Sequence, residues 1–250
     1  MTFCEEIIGR GQSGDVILKD GYVYKNITTV ERSIHTSLNH ENIVKMIDGK
    51  LELCESTLSV RLFESTSDSQ LIFWMYELAT AVAYLHKNNI LHRDIKPDNI
   101  YLLNGHIKLG DFGYATTADA IMTTHICGTP NFMAPEIAAA ALNDEIEPKF
   151  SFSSDCWSIG CCMHTMFTGV PPFQGKNIND TLLNIITYGK LYSDAQNDLL
   201  RGRYVLKDMC ELMVHILSMC PTDRPTAAQI ADRCLEIYFL TMKKELDFIG

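Results

Sequence analysis

Residues 91–102, LHRDIKPDNIYL, are the stretch around which the rest of this sequence is organised. A His-Arg-Asp triplet ending at Asp94 is followed by Lys96 and, five residues after Asp94, by Asn99. Apolar residues flank this polar centre on both sides, and that pattern predicts two short buried strands joined by a loop. The same spacing also fits a surface loop held by a His-Arg-Asp salt bridge, so the choice depends on further motifs.

Two later motifs favour a catalytic loop over a surface loop. Asp111-Phe112-Gly113 follows the strand-like residues 106–109, and Ala134-Pro135-Glu136 follows further along the chain. The three motifs stand in the order typical of protein kinases, which makes a chance match a poor explanation.

The first lobe opens with a glycine-rich stretch, residues 7–16, IIGRGQSGDV, that fits the pattern G-x-G-x-x-G-x-V. Glycines at these positions let backbone N–H groups approach phosphates without an intervening Cβ. Dinucleotide-binding folds share the three glycines, but there a helix follows the third one. Here residues 16–18 continue as a strand that turns at Asp20-Gly21, which favours a phosphate-covering hairpin.

A return strand over residues 22–25 is predicted to end at Lys25, and a short helix to begin near Thr28. Glu31 is the acid on this helix and is the expected partner of Lys25, although it also fits a capping box with Thr28. The six residue-to-residue steps from Lys25 to Glu31 span roughly 20 Å when the chain is extended, so the ion pair is feasible if the helix is short at its N-terminal end. The expected apolar stripe is Ile27, Val30 (or Ile34) and Leu38.

A second hairpin is predicted over residues 43–54, turning at Asp48-Gly49. It brings the expected content to five strands and one helix before residue 55.

The sequence resembles the eukaryotic-type Ser/Thr protein kinases, and among them it is most similar to the polo-like kinases. The polo-like similarity rests on residues 33–40 (SIHTSLNH), 51–54 (LELC) and 126–132 (ICGTPNF). The resemblance implies an α+β, bilobal protein-kinase fold and one kinase domain over residues 1–250. Its sheet lobe, with a small five-stranded antiparallel sheet and one short helix, is expected over residues 1–54. A larger, mainly helical lobe is expected over residues 55–250.

The resemblance implies a protein serine/threonine kinase that transfers the γ-phosphate of ATP to protein hydroxyls, with ATP and Mg²⁺ bound. Asp94 is then expected to orient the substrate hydroxyl and accept its proton, while Lys96 lies against the γ-phosphate. Asn99 and Asp111 are expected to hold the metal. Lys25 is expected to bind the α- and β-phosphates, with Glu31 as its partner.

The remaining implied site residues surround the nucleotide. Leu51 is expected to be the gatekeeper beside the adenine, and the backbone of Glu52 and Cys54 to pair with the adenine edge. The glycine-rich stretch contributes Ile8, Gly9, Arg10, Gly11, Gln12, Ser13, Gly14, Asp15 and Val16.

Residues 114–133 are expected to form the activation segment, and Thr129 together with Lys96 fits the Ser/Thr-kinase pattern. Arg93 beside Asp94 usually implies control by a phosphate on this segment. The acceptor of related kinases lies four residues before the equivalent of Thr129, where this chain has His125. Thr123 and Thr124 lie next to His125 and could accept a phosphate. The shortened helix, however, lacks residues that could supply cationic partners for that phosphate. We therefore expect weak dependence on activation-segment phosphorylation.

In the second lobe, Asp68 is expected to cap a helix that runs to Lys87 with an apolar face of Leu71, Met75, Leu78, Val82 and Leu85. Phe112 is expected to pack under the short helix. Asp155 is expected to anchor the catalytic-loop backbone, and Arg224 to pair with Glu136. Thr226 and Gln229 fit a capping box for the last helix.

The composition of the sequence limits the classes of binding partner that are expected. A net charge of −10 argues against a nucleic-acid or anionic-membrane surface. The most apolar stretch, residues 156–173, is too interrupted by histidine, glycine and proline for a membrane span. Protein substrates are the expected partners, and nothing indicates an oligomer. A polo-box region is not expected in this protein, and neither is substrate targeting by such a module.

The nine cysteines show no metal-binding spacing and, without a secretory signal, are expected to be reduced thiols. This predicts an intracellular location, in the cytoplasm or nucleus. So compact a kinase fits a virus or a reduced genome, and in the viral case the location is the host cell.

Two alternatives stay open. A pseudokinase, a binding scaffold with little turnover, follows if the short helix misplaces Glu31. A small-molecule phosphotransferase of related fold is disfavoured by Gly128-Thr129-Pro130 and Ala134-Pro135-Glu136, which are expected to build a peptide-docking platform.

Overall fold

The computed structural model describes residues 5–11, 14–120, 126–143, 146–187 and 206–249. Its first part is an antiparallel five-stranded sheet with the strand order β1-β2-β3-β5-β4. This confirms the five strands expected before residue 55. The strands are β1 (Glu6–Gly11), β2 (Gly14–Lys19), β3 (Tyr22–Tyr24), β4 (Met46–Ile47) and β5 (Lys50–Glu52).

Both predicted Asp-Gly turns are present in this sheet. Asp20 and Gly21 have φ values of 54° and 77°, and Asp48 and Gly49 have 50° and 78°. Two consecutive left-handed residues define the tight hairpin turn whose twist matches the flanking strands. The turns therefore fix the register of β2 on β3 and of β4 on β5.

Helix α1 (Thr29–Ser37) packs against this sheet and is capped by Thr28, whose hydroxyl accepts a hydrogen bond from the Glu31 N–H at 3.1 Å. Its inward face carries the buried Glu31 and His35, with Ile34 against the core. Val30 is 63% exposed, so its assignment to the apolar stripe is wrong and the alternative, Ile34, is right. In so short a helix one apolar residue can point outward without unsettling the packing.

The second part of the chain is mainly helical. Its helices are α2 (Leu58–Arg61), α3 (Asp68–Lys87), α4 (Pro135–Leu142), α5 (Phe152–Thr168), α6 (Leu206–Ile216) and α7 (Ala227–Ile249), and residues 178–187 are helical as well. Helix α3 packs along α7 and α5. All five apolar residues predicted for the inner face of α3 are buried. None of the helices in the described ranges is long and apolar enough to cross a membrane.

The predicted N-cap of α3 is wrong by one residue. Ser67 is the cap, and its hydroxyl accepts a hydrogen bond from the Gln70 N–H at 3.2 Å. Asp68 is instead the first residue of the helix, where a carboxylate still interacts favourably with the helix dipole.

Short strands position the loops between the two parts. They are β6 (Ser56–Thr57), β7 (Ile90–Leu91), β8 (Ile100–Leu103), β9 (His106–Leu109) and β10 (Thr116–Thr117). Strand β8 lies between β6 and β9, and β7 pairs with β10. As predicted, the polar stretch 92–99 is bracketed by the strands β7 and β8.

Helix α5 is the buried centre of the helical part, with residues 154–166 all inaccessible to solvent or nearly so. It ends at Gly169, whose φ of 79° places it in the left-handed conformation common after helices. The predicted ion pair is present beside it, because the Arg224 Nη2 lies 2.8 Å from Glu136 Oε2. The capping box of α7 is also confirmed, with Thr226 N 2.9 Å from Gln229 Oε1 and Gln229 N 3.3 Å from Thr226 Oγ1.

Candidate active site

The loop after β7 is held from below by one buried carboxylate. The two oxygens of Asp155 each accept a hydrogen bond at 2.9 Å, from the backbone N–H groups of His92 and Arg93. Burial alone raises the pKa of Asp155, but the hydrogen bond and charge of His86, 3.0 Å away, bring it below its ordinary value. Asp155 is therefore ionised, and the anchoring role predicted for it is confirmed.

Asp94 lies at the centre of a network within this loop, and its side chain is 7% exposed. Asn99 Nδ2 donates to Asp94 Oδ2 at 3.0 Å, and Lys96 Nζ lies 3.0 Å from the same oxygen. Thr129 donates to the other oxygen, Oδ1, at 2.8 Å and accepts from Lys96 Nζ at 2.7 Å. The network fixes the direction of the carboxylate and brings Asp94, Lys96 and Asn99 together as the sequence predicts.

Lys25 joins two acids from distant segments. Its Nζ lies 3.4 Å from Glu31 Oε1 and also donates to Asp111 Oδ1. Burial lowers the pKa of Lys25, but the two carboxylates outweigh it and the pKa is raised overall. Burial likewise raises the pKa of Asp111, and the hydrogen bond and charge of Lys25 turn that into a net lowering. All three groups are positioned as predicted, and Lys25 and Asp111 are both charged at neutral pH.

Aromatic packing holds Asp111 in this place. Phe112 is fully buried, and its ring centroid lies 4.6 Å from that of His35 on α1 and 5.1 Å from that of His92. The predicted packing of Phe112 under the short helix is confirmed. His35, which was not predicted, donates from Nε2 to the Val44 carbonyl at 2.6 Å, so it ties α1 to the chain that enters β4.

Hydrogen bonds through Gly110 connect the network around Asp94 with the pair of Lys25 and Asp111. Gly110, just before Asp111, donates its N–H to the Asn99 carbonyl at 2.9 Å and accepts a hydrogen bond from His92 Nε2 at 3.0 Å. Asp111 and Asn99 are therefore joined through one residue.

A cleft of about 420 Å³ opens between the sheet and the loops and falls in the size range of small-molecule sites. Nine of the predicted nucleotide and metal residues line it: Ile8, Gly9, Val16, Lys25, Glu31, Leu51, Glu52, Cys54 and Asp111. Arg10, Gly11, Gly14 and Asp15 lie in the β1–β2 hairpin, where Arg10 pairs with Asp15 and Gly11 with Gly14. Gln12 and Ser13 lie outside the described residues.

Two further residues of this region were not predicted. Tyr101 lines the cleft from β8, and burial raises the pKa of its hydroxyl to about 12. Lys108 on β9 bonds Glu52 Oε1 at 3.0 Å and the Glu41 carbonyl at 2.9 Å, so it ties the end of β5 to the helical part. Alternation along β8, where Ile100 and Leu102 face the core, was the available signal for Tyr101.

The expected phosphorylation positions cannot be placed in this geometry, because Thr123, Thr124 and His125 lie outside the described residues.

Comparison with known proteins gives independent support for the family to which the chain belongs. The protein kinase domain family matches residues 4–234. The Drosophila melanogaster serine/threonine-protein kinase polo is 34% identical over 221 residues, which are 82% of this chain and 36% of that protein. A probable serine/threonine-protein kinase PLK of Dictyostelium discoideum is 33% identical over 215 residues, 81% of this chain and 21% of that protein.

A mouse protein named inactive serine/threonine-protein kinase PLK5 is 29% identical over 242 residues, 90% of this chain and 37% of that protein. The chain thus spans less than two fifths of the length of each of these relatives. The family match extends over nearly all of the chain, and the motifs are arranged in one cleft. The protein therefore belongs to the protein kinase family and resembles its polo-like members.

Proposed function

We propose that the chain is a protein serine/threonine kinase that transfers the γ-phosphate of ATP to Ser or Thr hydroxyls of protein substrates. The observation that carries this proposal is the pairing of Lys25 with both Glu31 and Asp111 at the wall of the 420 Å³ cleft. A lysine positioned by a helix acid, next to a carboxylate that can hold a metal, is the arrangement that phosphoryl transfer requires in this family.

We place the purine of ATP at the end of β5, beside Leu51 as gatekeeper and against the backbone of Glu52 and Cys54. Apolar surface for the ring is available from Ile8 and Val16 on the sheet side, among the residues that line the cleft. Lys25 then lies where the α- and β-phosphates extend, and the β1–β2 hairpin covers them. The boundary between the two lobes after Cys54 is part of the same proposal.

Asn99 and Asp111 fit the chemistry of a Mg²⁺ site, which prefers oxygen ligands. The lowered pKa of Asp111 keeps its carboxylate anionic, and the side chain is 36% exposed toward the cleft. Asn99 uses its Nδ2 on Asp94, which turns the amide oxygen away from that carboxylate. When bound, Mg²⁺ neutralises phosphate charge during transfer.

The remaining steps belong to side chains of the catalytic loop. Asp94 accepts a hydrogen bond from the substrate hydroxyl, orients it and takes its proton as the new O–P bond forms and the bond from the γ-phosphorus to the leaving ADP oxygen breaks. Lys96 stands 3.0 Å from Asp94 and supplies positive charge beside the transferred group. Thr129 holds both side chains and links them to the activation segment.

A pseudokinase scaffold is the second candidate, and a relative named as inactive supports it. The sequence-based reason for this alternative was a misplaced Glu31. With Glu31 Oε1 3.4 Å from Lys25 Nζ, that reason does not apply to the structure. Intracellular location and the lack of nucleic-acid or oligomeric partners remain predictions.

The purified chain is expected to transfer radiolabelled γ-phosphate from ATP to a generic protein substrate when Mg²⁺ is present. Chelation with EDTA is expected to abolish transfer, since the phosphate charge then lacks its counter-ion. Phosphoamino-acid analysis should find label on Ser and Thr. Nucleotide binding without Mg²⁺-dependent transfer would instead support the scaffold, and a positional peptide library would define the substrate motif.

Changing both Thr123 and Thr124 to Ala is expected to leave turnover within about threefold of the wild type, which corresponds to about 0.7 kcal/mol of activation free energy. The expectation follows from His125 at the usual acceptor position and from the short α1. Steady-state kinetics of the double variant and of phosphatase-treated wild type provide the comparison. Loss of turnover in a variant with an unchanged melting temperature contradicts weak dependence on phosphorylation.

A further inference from the structure

The guanidinium of Arg93, next to Asp94, is held by neutral groups. Its Cζ lies 5.3 Å from the centroid of the Phe150 ring, and its Nε donates to the Tyr114 carbonyl at 2.6 Å. Phe150 is only 9% exposed, so the ring is largely removed from water. Attraction between a cation and an aromatic face is strongest at such desolvated sites.

The backbone of Arg93 is fixed as firmly as its side chain. Its N–H donates to Asp155 Oδ1 at 2.9 Å, and its φ of 67° is a left-handed value that non-glycine residues rarely adopt. A Cβ on Gly128 would lie 2.7 Å from the Arg93 carbonyl oxygen, so the chain passes here in close contact. Any shift of Arg93 is therefore transmitted to Asp94 and to the segment around Gly128.

Arg93 thus contacts three separate pieces of chain. Tyr114 lies at the start of the activation segment and Gly128 near its end, while Phe150 precedes α5 and Asp155 lies within it. A phosphate on the activation segment can order such pieces by supplying a counter-charge to arginine. An aromatic ring supplies its negative face permanently, without modification.

We propose that Phe150 is a positioning residue whose ring, together with the Tyr114 carbonyl, seats the Arg93 guanidinium and keeps Asp94 and both ends of the activation segment in place without a phosphate. The proposal rests on the kinase function proposed above, and it adds how that site is kept competent. Phe150 does not line the nucleotide cleft, so its effect is on the catalytic loop and not on ATP binding.

The test uses the whole chain after phosphatase treatment, with the absence of phosphate verified by intact mass. Phe150→Leu removes the aromatic face but keeps an apolar side chain, and Phe150→Tyr keeps both. Loss of a desolvated cation–π contact is expected to lower kcat about five- to tenfold in the leucine variant. The tyrosine variant is expected to stay within about twofold, and KM for ATP is expected to be unchanged in both.

Phe73→Leu serves as the matched control, because this phenylalanine on α3 packs on the rings of Tyr76 and Tyr238, with centroids 5.9 and 5.1 Å apart, and not on the catalytic loop or its anchor Asp155. It is expected to leave kcat unchanged. Equal kcat values for Phe150→Leu and Phe73→Leu overturn the proposal, as does a leucine variant whose kcat loss is matched by the tyrosine variant.

Amide hydrogen exchange gives a readout that does not depend on catalysis. Phe150→Leu is expected to speed exchange in residues 114–117 and 126–132, while Phe150→Tyr leaves these segments protected. If wild type transfers no phosphate, the kinase proposal fails, and the exchange result still decides the role of Phe150. Exchange that rises uniformly over the chain, with a lower melting temperature, identifies Phe150 as a core residue only and overturns the inference.

Discussion

Asp94→Asn is expected to lower kcat by about 10²–10⁴-fold, the range that general-base groups contribute. The amide has the shape of the carboxylate but no basicity, so it cannot take the proton of the attacking hydroxyl. It also places a donor or a neutral acceptor where Asn99, Lys96 and Thr129 now meet a charged oxygen. Since Asp94 does not line the nucleotide cleft, affinity for ATP is expected to persist.

The measurement is the initial rate of Mg²⁺·ATP-dependent transfer to a protein substrate, with nucleotide binding and the melting temperature followed in parallel. Asp98→Asn is the matched control, because this aspartate lies in the same loop, is exposed and has the same chemistry. We expect the control to keep most of its activity. Comparable rates for Asp94→Asn and wild type would falsify the assignment of Asp94 as the base.

Arg224→Met is expected to lower the free energy of unfolding by about 3–5 kcal/mol, which is typical when one member of a buried ion pair is removed. The Arg224 side chain is 0% exposed, and its Nη1 and Nη2 bind the two oxygens of Glu136 at 2.9 and 2.8 Å. The guanidinium also lies 5.0 Å from the Trp157 ring. Without the arginine, the Glu136 carboxylate is left with a large desolvation cost.

Urea unfolding gives the free energy, and Arg233→Met gives the matched control. Arg233 pairs with Asp208 and Glu236 at the surface with its side chain 40% exposed, so its loss is expected to cost less than about 1 kcal/mol. The double variant Arg224→Met/Glu136→Gln should recover part of the lost stability, because it removes the orphaned charge. Similar costs for Arg224→Met and Arg233→Met would show that the buried pair adds nothing.

Much of the sheet lobe could be predicted because its turns have a local chemical signature. Asp-Gly pairs at 20–21 and 48–49 supply the left-handed residues that a two-residue hairpin turn needs, whatever lies around them. The pairing of Lys25 with Glu31 was also accessible, since few acids compete within reach of a short connection. Signals of this kind act over a few residues and survive in the folded chain.

Errors arose where two neighbouring residues carry the same signal. Ser67 and Asp68 are both good helix caps, and the backbone geometry selects Ser67. Val30 and Ile34 both fit the stripe of α1, and the direction of the sheet surface selects Ile34. The two candidates differ by one residue at the cap of α3 and by about one helical turn on α1, and either choice leaves the sequence pattern almost unchanged.

The residues that were missed act through contacts between distant segments. Lys108 meets Glu52, and Phe150 meets Arg93, across more than fifty residues of chain in each case. No periodicity records such pairs, because each partner alone reads as an ordinary strand or loop residue. Only the packing of the loops between β5, β7 and α5 brings them together.

The short connection between β3 and α1 limits the ways in which this cleft can be reshaped. Only residues 25–28 separate Tyr24 from the first turn of the helix, and at about 3.3–3.6 Å per residue they leave little slack. Compounds that bind by displacing α1 and occupying the space behind it are therefore opposed by this short connection. Compounds confined to the proposed purine site, by contrast, meet the side chains of Tyr101 and Leu51 already in the cleft wall, which makes shape differences around these two residues the more useful basis for selectivity.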